Sequence, residues 1–236
     1  MEWMMDRDDI TICCFRWNNW MGEWGVEYVN RLYESVKRRL TLPHRFVCFT
    51  DDSHGLNRKI ELGKFAPPSM LDRLPTMLAY SPNSGLTGRV FIIDLDTVIV
   101  RKIDPFFEFT HPFIVRKAHQ KGKYGNSADG IMFDAGTLTK YLWEPLVQNT
   151  QEVEQITAGD DRVMYDHYLP RGMIAYWDDL LPRQFVSYPY QVRRRNGKLT
   201  QNEAIKRTRM VSFHGERKPH LEMDKRGREW ICEHWK

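Results

Sequence analysis

The chain has 236 residues, 42% of them hydrophobic and 13% aromatic, with 35 Lys+Arg against 31 Asp+Glu and a formal net charge of +4. That much apolar side chain can close a core, which excludes a disordered, collagen-like or small disulfide-stapled protein, and the length suits one large α/β domain. No run of about 18 uninterrupted apolar residues is present to span a bilayer, and Met1 to Asp9 is acidic without the apolar stretch of a secretory leader, so a soluble, cytoplasmic protein is expected.

Ile10 to Phe15 reads as a first strand, rich in β-branched and apolar residues. Val26, Val29, Leu32, Tyr33, Val36 and Leu40 then recur at helical spacing. Lys37, Arg38 and Arg39 suit the negative end of that helix, and Pro43 stops it. Phe46 to Thr50 is a second strand, so the chain opens with a β-α-β unit whose strands should be parallel. Ser69 to Tyr80 carries a weaker helical pattern interrupted by Pro75. Val90 to Ile93 is a buried strand that runs into Asp94-Leu95-Asp96 and a second apolar stretch, Thr97 to Val100. Phe113 to Val115, Ile131 to Phe133, Ile174 to Tyr176 and Met210 to Phe213 read as further strands. Thr137 to Gln148 and Asp160 to Leu169 read as helices. Cys13, Cys14 and Cys48 sit in apolar runs and Cys232 near the end, without metal-ligand spacing, and the four read as buried reduced thiols.

Charge is uneven. Gln191 to Lys236 carries a net +7 and the remainder −3. Arg193 to Arg195, Lys206, Arg207, Arg209 and Arg226 to Arg228 surround Tyr188, Tyr190, Trp230 and Trp235. The segment therefore reads as a solvated basic surface, a docking face for an anionic lipid or acceptor, or a nucleic-acid surface; no nucleic-acid motif of defined spacing favours the last.

Asp94 and Asp96 are the sharpest feature. On a continued strand, residues two apart point to one side, so two carboxylates would meet at the end of a buried run. They repel unless a cation lies between them, and hard oxygen ligands suit Mg²⁺ or Mn²⁺ held partly by substrate phosphates. The competing reading is a solvated strand end paired with Arg89, Arg101 or Lys102. Haloacid-dehalogenase-type phosphatases carry a similar Asp-x-Asp-x-Thr/Val string with the first Asp as nucleophile, which Asp94 to Val98 fits. Their motif lies on an early strand, however, and Gly159-Asp160-Asp161 has Met164 where a further acid is needed.

Three features in order carry a more specific resemblance: the opening β-α-β unit, the mid-chain Asp-x-Asp, and His214-Gly215-Glu216-Arg217-Lys218-Pro219 near the end. With Tyr28 to Tyr33 (YVNRLY) and Leu42 to Asp52 (LPHRFVCFTDD), the chain resembles GT-A nucleotide-sugar glycosyltransferases. The likeness is to the retaining glycogenin- and bacterial-galactosyltransferase-like family, in its bacterial and viral branch, over Ile10 to Pro219. The resemblance implies one GT-A (Rossmann-like) α/β domain over 1–236, with a mixed, mostly parallel central sheet flanked by helices. It divides into a nucleotide-binding half (10–100), a donor-sugar and acceptor half (101–220) and a basic aromatic tail (221–236).

It also implies site residues. Asp94, Asp96 and His214 would hold Mn²⁺ or Mg²⁺. Lys218 would contact the diphosphate, and Gly215 would let the backbone approach it. Here only four positions separate His214 from Lys218, fewer than in the commoner motif, and His220 stands in place of a final Trp. Arg73 would reach the diphosphate or sugar. Phe15, Arg16, Trp17 and Tyr28 occupy the nucleobase region, with the Leu95 backbone beside the ribose. Asp129, or Asn126 if the loop slips, would meet the donor sugar. Asp160-Asp161 matches an Asp-Gln pair beneath it, although Asp160 is equally suited to cap the following helix. The implied activity is metal-dependent transfer of a hexose from a UDP-sugar, with retention, to an unidentified and possibly anionic acceptor. The alternatives are the phosphatase and a non-catalytic basic nucleotide- or nucleic-acid-binding module.

Overall fold

Strand β1 (Ile10–Arg16) is buried along its whole length, as a continuous apolar run in the middle of a covered sheet must be. Its side chains alternate between two cores. Ile10, Ile12 and Cys14 pack with Tyr28, Val29, Leu32 and Val36 of helix α1 (Trp24–Arg39) on one face. Cys13 and Phe15 pack on the other with Met77, Leu78 and Tyr165. The structure, a computed structural model, describes residues 9–17, 22, 24–64, 74–118, 125–193 and 205–236. Arg73, Arg194 and Arg195 lie outside the described residues.

The opening unit is as expected: β1 pairs in parallel with β2 (Arg45–Thr50), Ile12 opposite Phe46 and Cys14 opposite Cys48. Strands β3 (Glu61–Gly63), β4 (Arg89–Ile92), β6 (Phe113–Val115), β7 (Ile131–Asp134) and β8 (Ile174–Tyr176) complete a seven-stranded sheet of order β3-β2-β1-β4-β7-β6-β8. It is mostly parallel, with β7 antiparallel to both neighbours, and helices cover it. Among the described residues no helix is long and apolar enough to cross a membrane. Cys13, Cys14 and Cys48 are buried free thiols, but Cys232 is exposed, because Trp230 and Ile231 form the buried face of its short helix.

The Asp-x-Asp segment departs from the strand reading. After Ile93 donates its N–H to Cys13, the chain turns, and Thr97 N–H closes onto Asp94 C=O at 3.0 Å. The run Thr97–Ile99 is a separate strand, β5, in a second sheet of order β5-β10-β9, with β9 at Phe185–Ser187 and β10 at Met210–Ser212. A turn between two sheets, rather than strand alternation, therefore orients the acid pair.

Two helical expectations are modified. Thr139–Trp143 winds as a wide π-type turn and α2 restarts at Glu144–Gln148, because Pro145 cannot donate within a helix but fits its first turn. Beyond it lies the unforeseen α3 (Thr150–Thr157), capped by Asn149, and then α4 (Asp161–Tyr168). Pro75–Tyr80 forms a 3₁₀ helix.

The C-terminal segment is not the solvated aromatic surface its composition suggests. Trp230 and Trp235 are 3% and 1% exposed, and Tyr188 is fully buried. Trp235 stands edge-on to Tyr28 at 4.8 Å with Arg31 over its ring, while Trp230 meets Phe213. Glu222, 1% exposed, accepts from Tyr188 Oη at 2.7 Å and pairs with Arg217, Lys225 and Arg228. Those cations neutralise a buried carboxylate, so Tyr188, Trp230 and Trp235 and the basic residues Arg217, Lys225 and Arg228 are engaged within the fold, while Tyr190 stays half-buried. Trp230→Ala is expected to lower stability by about 3–5 kcal/mol in chemical denaturation; a loss within about 0.5 kcal/mol would mark the segment as surface.

Candidate functional site

The turn between β4 and β5 sits where the two sheets meet. Strand β10 runs antiparallel to β5, Ser212 opposite Thr97, and the ladder continues as Phe213 N–H donates to Asp96 C=O at 3.0 Å. His214 thus follows the residue bonded to Asp96, which brings the far end of the chain to the middle acid pair. Four residues on, Lys218 returns and places Nζ 2.5 Å from Asp96 Oδ2. A cavity of about 200 Å³ opens here. Phe15 and Trp17 from the end of β1, Thr76, Ile92 to Asp96, and Lys218 line it.

Negative charge is concentrated at this junction. Asp96 is 7% exposed, and burial pushes its carboxyl up to about 6 against the pull of Lys218. Asp94 is raised well above the carboxylate range by burial and by the charges of Asp129 and Asp96, and its side chain hydrogen-bonds Asp129. Asp129 goes the other way. Burial opposes its ionisation, but the Arg116 guanidinium and the hydrogen bonds from Asp94 and Ser212 hold it below the usual range. Arg116, fully buried, donates to Asp129 Oδ2 at 3.0 Å, and Ser212 Oγ donates to the same oxygen at 2.9 Å. The fourth acid, Asp161, is pushed up to about 6 by burial and by Asp160, while Thr76 Oγ1 donates to it at 3.2 Å. Arg116 pairs with Asp129 and Lys218 with Asp96, while Arg162, paired with Asp160, acts on Asp161.

Of the residues expected at the site, Phe15, Trp17, Leu95, Asp94, Asp96 and Lys218 line this cavity. Gly215 takes a left-handed φ of 67°, which lets the loop turn after His214. The others are placed differently. Tyr28 is fully buried with its hydroxyl 2.6 Å from His220 Nδ1 and is not among the cavity-lining residues, because it belongs to the core face of α1. Arg16 points the opposite way from its neighbours and donates to the Asp52 carbonyl at 2.6 Å. Asp129 Oδ2 is engaged by Arg116 and Ser212 rather than turned to the cavity. Asp160 caps α4 through the Arg162 N–H and holds the Arg162 side chain, while Asp161 turns inward to Thr76. Asn126 donates to Asp166 Oδ1 at 2.5 Å.

His214 Nε2 shares a hydrogen bond with Ser187 Oγ at 2.8 Å, and its ring stacks on Tyr190. Burial lowers its pKa, favouring the neutral imidazole. Among the described residues no three His, Cys, Asp or Glu side chains are gathered as a metal set. The chemistry of the acids nonetheless fits a divalent cation: they supply hard oxygens, and burial and mutual repulsion penalise their ionised forms, a penalty that a bound cation would relieve. The sequence reading missed Thr76, Arg116, Ser187 and Ser212. Only Arg116 left a trace, as a charged residue ending the apolar run Phe113 to Val115, the same signature that exposed Asp94.

No family model and no curated protein matches the chain. Solved structures do. The galactosyltransferase LgtC, crystallised with donor and acceptor sugar analogs, superposes with a TM-score of 0.65 at 12% identity, over 94% of each chain. An active-site mutant of LgtC gives 0.64 at 12% identity, again over 94% of each chain. The glycosyltransferase GlyE of Streptococcus pneumoniae TIGR4 gives 0.67 at 11%, over 94% of this chain and 60% of its own. The fold is that of GT-A glycosyltransferases.

The Asp161 shift has a measurable sign. An acid raised from about 4 unfolded to about 6 folded binds more protons in the native state across that window, so its contribution to stability falls as pH rises through it. Asp161→Asn is therefore expected to raise the Tm of the ligand-free protein at pH 7 by about 2–4 °C, roughly 1 kcal/mol at this size. The gain should shrink toward about pH 5 in calorimetric scans; a gain independent of pH would contradict the assignment.

Proposed function

We propose that the chain is a glycosyltransferase that moves a hexose from a UDP-sugar to an acceptor hydroxyl, with retention, assisted by Mn²⁺ or Mg²⁺. The observation that carries this reading is the convergence of the aromatic end of β1, both acids of the Asp-x-Asp turn and Lys218 on the same cavity. That combination matches a nucleoside diphosphate: rings for a base, a cation for phosphate, and carboxylates for the metal that phosphate brings.

Phe15 and Trp17 would receive the base by stacking, with Leu95 between the acids beside the ribose. Asp94 and Asp96 would hold the metal; His214 is proposed as third ligand on the resemblance alone, and its Nε2 would have to leave Ser187 Oγ to reach the ion. When bound, the metal neutralises charge on the diphosphate as the glycosidic bond breaks. Lys218 adds its point charge to the same leaving group. Asp161, held by Thr76 Oγ1, would stabilise positive charge developing on the sugar. Asp129 would act through Asp94, receiving its hydrogen bond, rather than by touching the sugar as the sequence led one to expect. The acceptor hydroxyl would arrive from the face lined by the C-terminal half. Arg73 is proposed for the diphosphate on the resemblance alone.

Incubation of the protein with UDP-sugars and Mn²⁺ is expected to release UDP slowly without acceptor. Asp94→Asn or Asp96→Asn should reduce that release by about 100-fold or more. Rapid turnover of a generic phosphomonoester, abolished by Asp94→Asn, would instead make the protein a phosphatase. Salt-sensitive nucleic-acid binding indifferent to both acids, without UDP release, would make it a binding module.

A further inference from the structure

We propose that Lys218 is a resident cation of the Asp-x-Asp turn: with no donor present its ammonium occupies Asp96, and the donor diphosphate must draw it off before a divalent ion takes that carboxylate. The inference rests on the reading just given and adds a binding order to it. Metal alone binds weakly, and metal and nucleotide bind cooperatively.

The contact between Lys218 Nζ and Asp96 Oδ2 is 2.5 Å, and the two side chains are only 16% and 9% exposed. This is not a screened surface pair. Both groups line one cavity of about 200 Å³, so a divalent ion on the same carboxylate would stand beside an ammonium with little water between them.

The surrounding chain lets the side chain exchange partners while its backbone stays in place. Pro219 follows Lys218 and fixes its own φ. His220 is held by the Tyr28 hydroxyl at 2.6 Å and stacks on Trp24 with ring centroids 4.7 Å apart. The flexible four-carbon stem of Lys218 then allows Nζ to swing from carboxylate to phosphate. Arg116, the other close cation, is fully buried on Asp129 beneath Asp94 and lacks that freedom. By linkage, whatever the nucleotide adds to metal affinity, the metal adds equally to nucleotide affinity.

The test is Mn²⁺ binding to the full chain, read by electron paramagnetic resonance of free Mn²⁺, alone and with UDP. Lys218→Gln is expected to bind Mn²⁺ alone about tenfold more tightly than wild type, the factor expected if the internal pair holds Asp96 about nine-tenths of the time. The same variant should bind UDP more weakly in the presence of Mn²⁺. Lys218→Arg, which keeps a cation there, should return metal-only affinity toward the wild-type value. Circular dichroism establishes that each variant is folded. If UDP–Mn²⁺ binding depends on Asp94 and Asp96 but Lys218→Gln leaves metal-only affinity unchanged or weaker, the exchange is refuted and the functional reading stands. If wild type binds UDP neither with nor without Mn²⁺, the functional reading falls and takes the exchange with it.

Discussion

Carboxylates crowded into a poorly solvated space repel one another, and a fold that places them there must answer that repulsion. Asp94, Asp96, Asp129 and Asp161 gather where a seven-stranded and a three-stranded sheet meet. Arg116 answers for Asp129 and Lys218 for Asp96, while Asp94 is pushed toward its protonated form and hydrogen-bonds Asp129. Much of the remaining architecture follows from this junction. Strand β4 delivers the acids, β5 leaves in a new direction, and β10 comes alongside with His214 at its end. The C-terminal loop then brings Lys218 into the cavity. What remains uncompensated is negative charge beside an aromatic-walled space, a property suited to a cation-bound diphosphate.

The opening β-α-β unit was legible because periodicity is a local property: one apolar run, one amphipathic stripe from Val26 to Leu40, and a second apolar run. Asp94 and Asp96 stood out as a candidate site for a similar reason, since charges directly after a buried strand require compensation. Their orientation was not. Whether the chain continues as a strand or turns at Asp94 depends on the pairing of β5 with β10, more than a hundred residues later in the sequence. In the second sheet β10 was legible as the apolar run Met210 to Phe213 and β5 as Thr97 to Val100, whereas β9, three residues long, is too short to announce itself. Arg116 is visible in sequence only as the end of an apolar run, and nothing there reveals Asp129 as its partner.

The tail shows how composition misleads when partners are distant. Trp230 and Trp235 stand among arginines and glutamates and read as an interfacial surface. Their burial depends on Phe213, Tyr28 and Arg31, which no local window around them contains together. The same segment then does structural work for the site. The Tyr28–His220 hydrogen bond ties the residue two beyond Lys218 to α1, and the cations around Glu222 hold the following turn. The basic C-terminal fifth therefore serves both as core and as the wall that presents Lys218.

The central claim is that the Asp-x-Asp turn is the seat of a nucleotide-bound divalent ion. Diffraction at the manganese edge, from crystals grown with UDP and Mn²⁺, tests it most directly. The account predicts an anomalous peak in coordination with Asp94 and Asp96, and Lys218 Nζ moved from Asp96 to the diphosphate. UDP bound in the cavity with no such peak, or a peak on other residues, would contradict it.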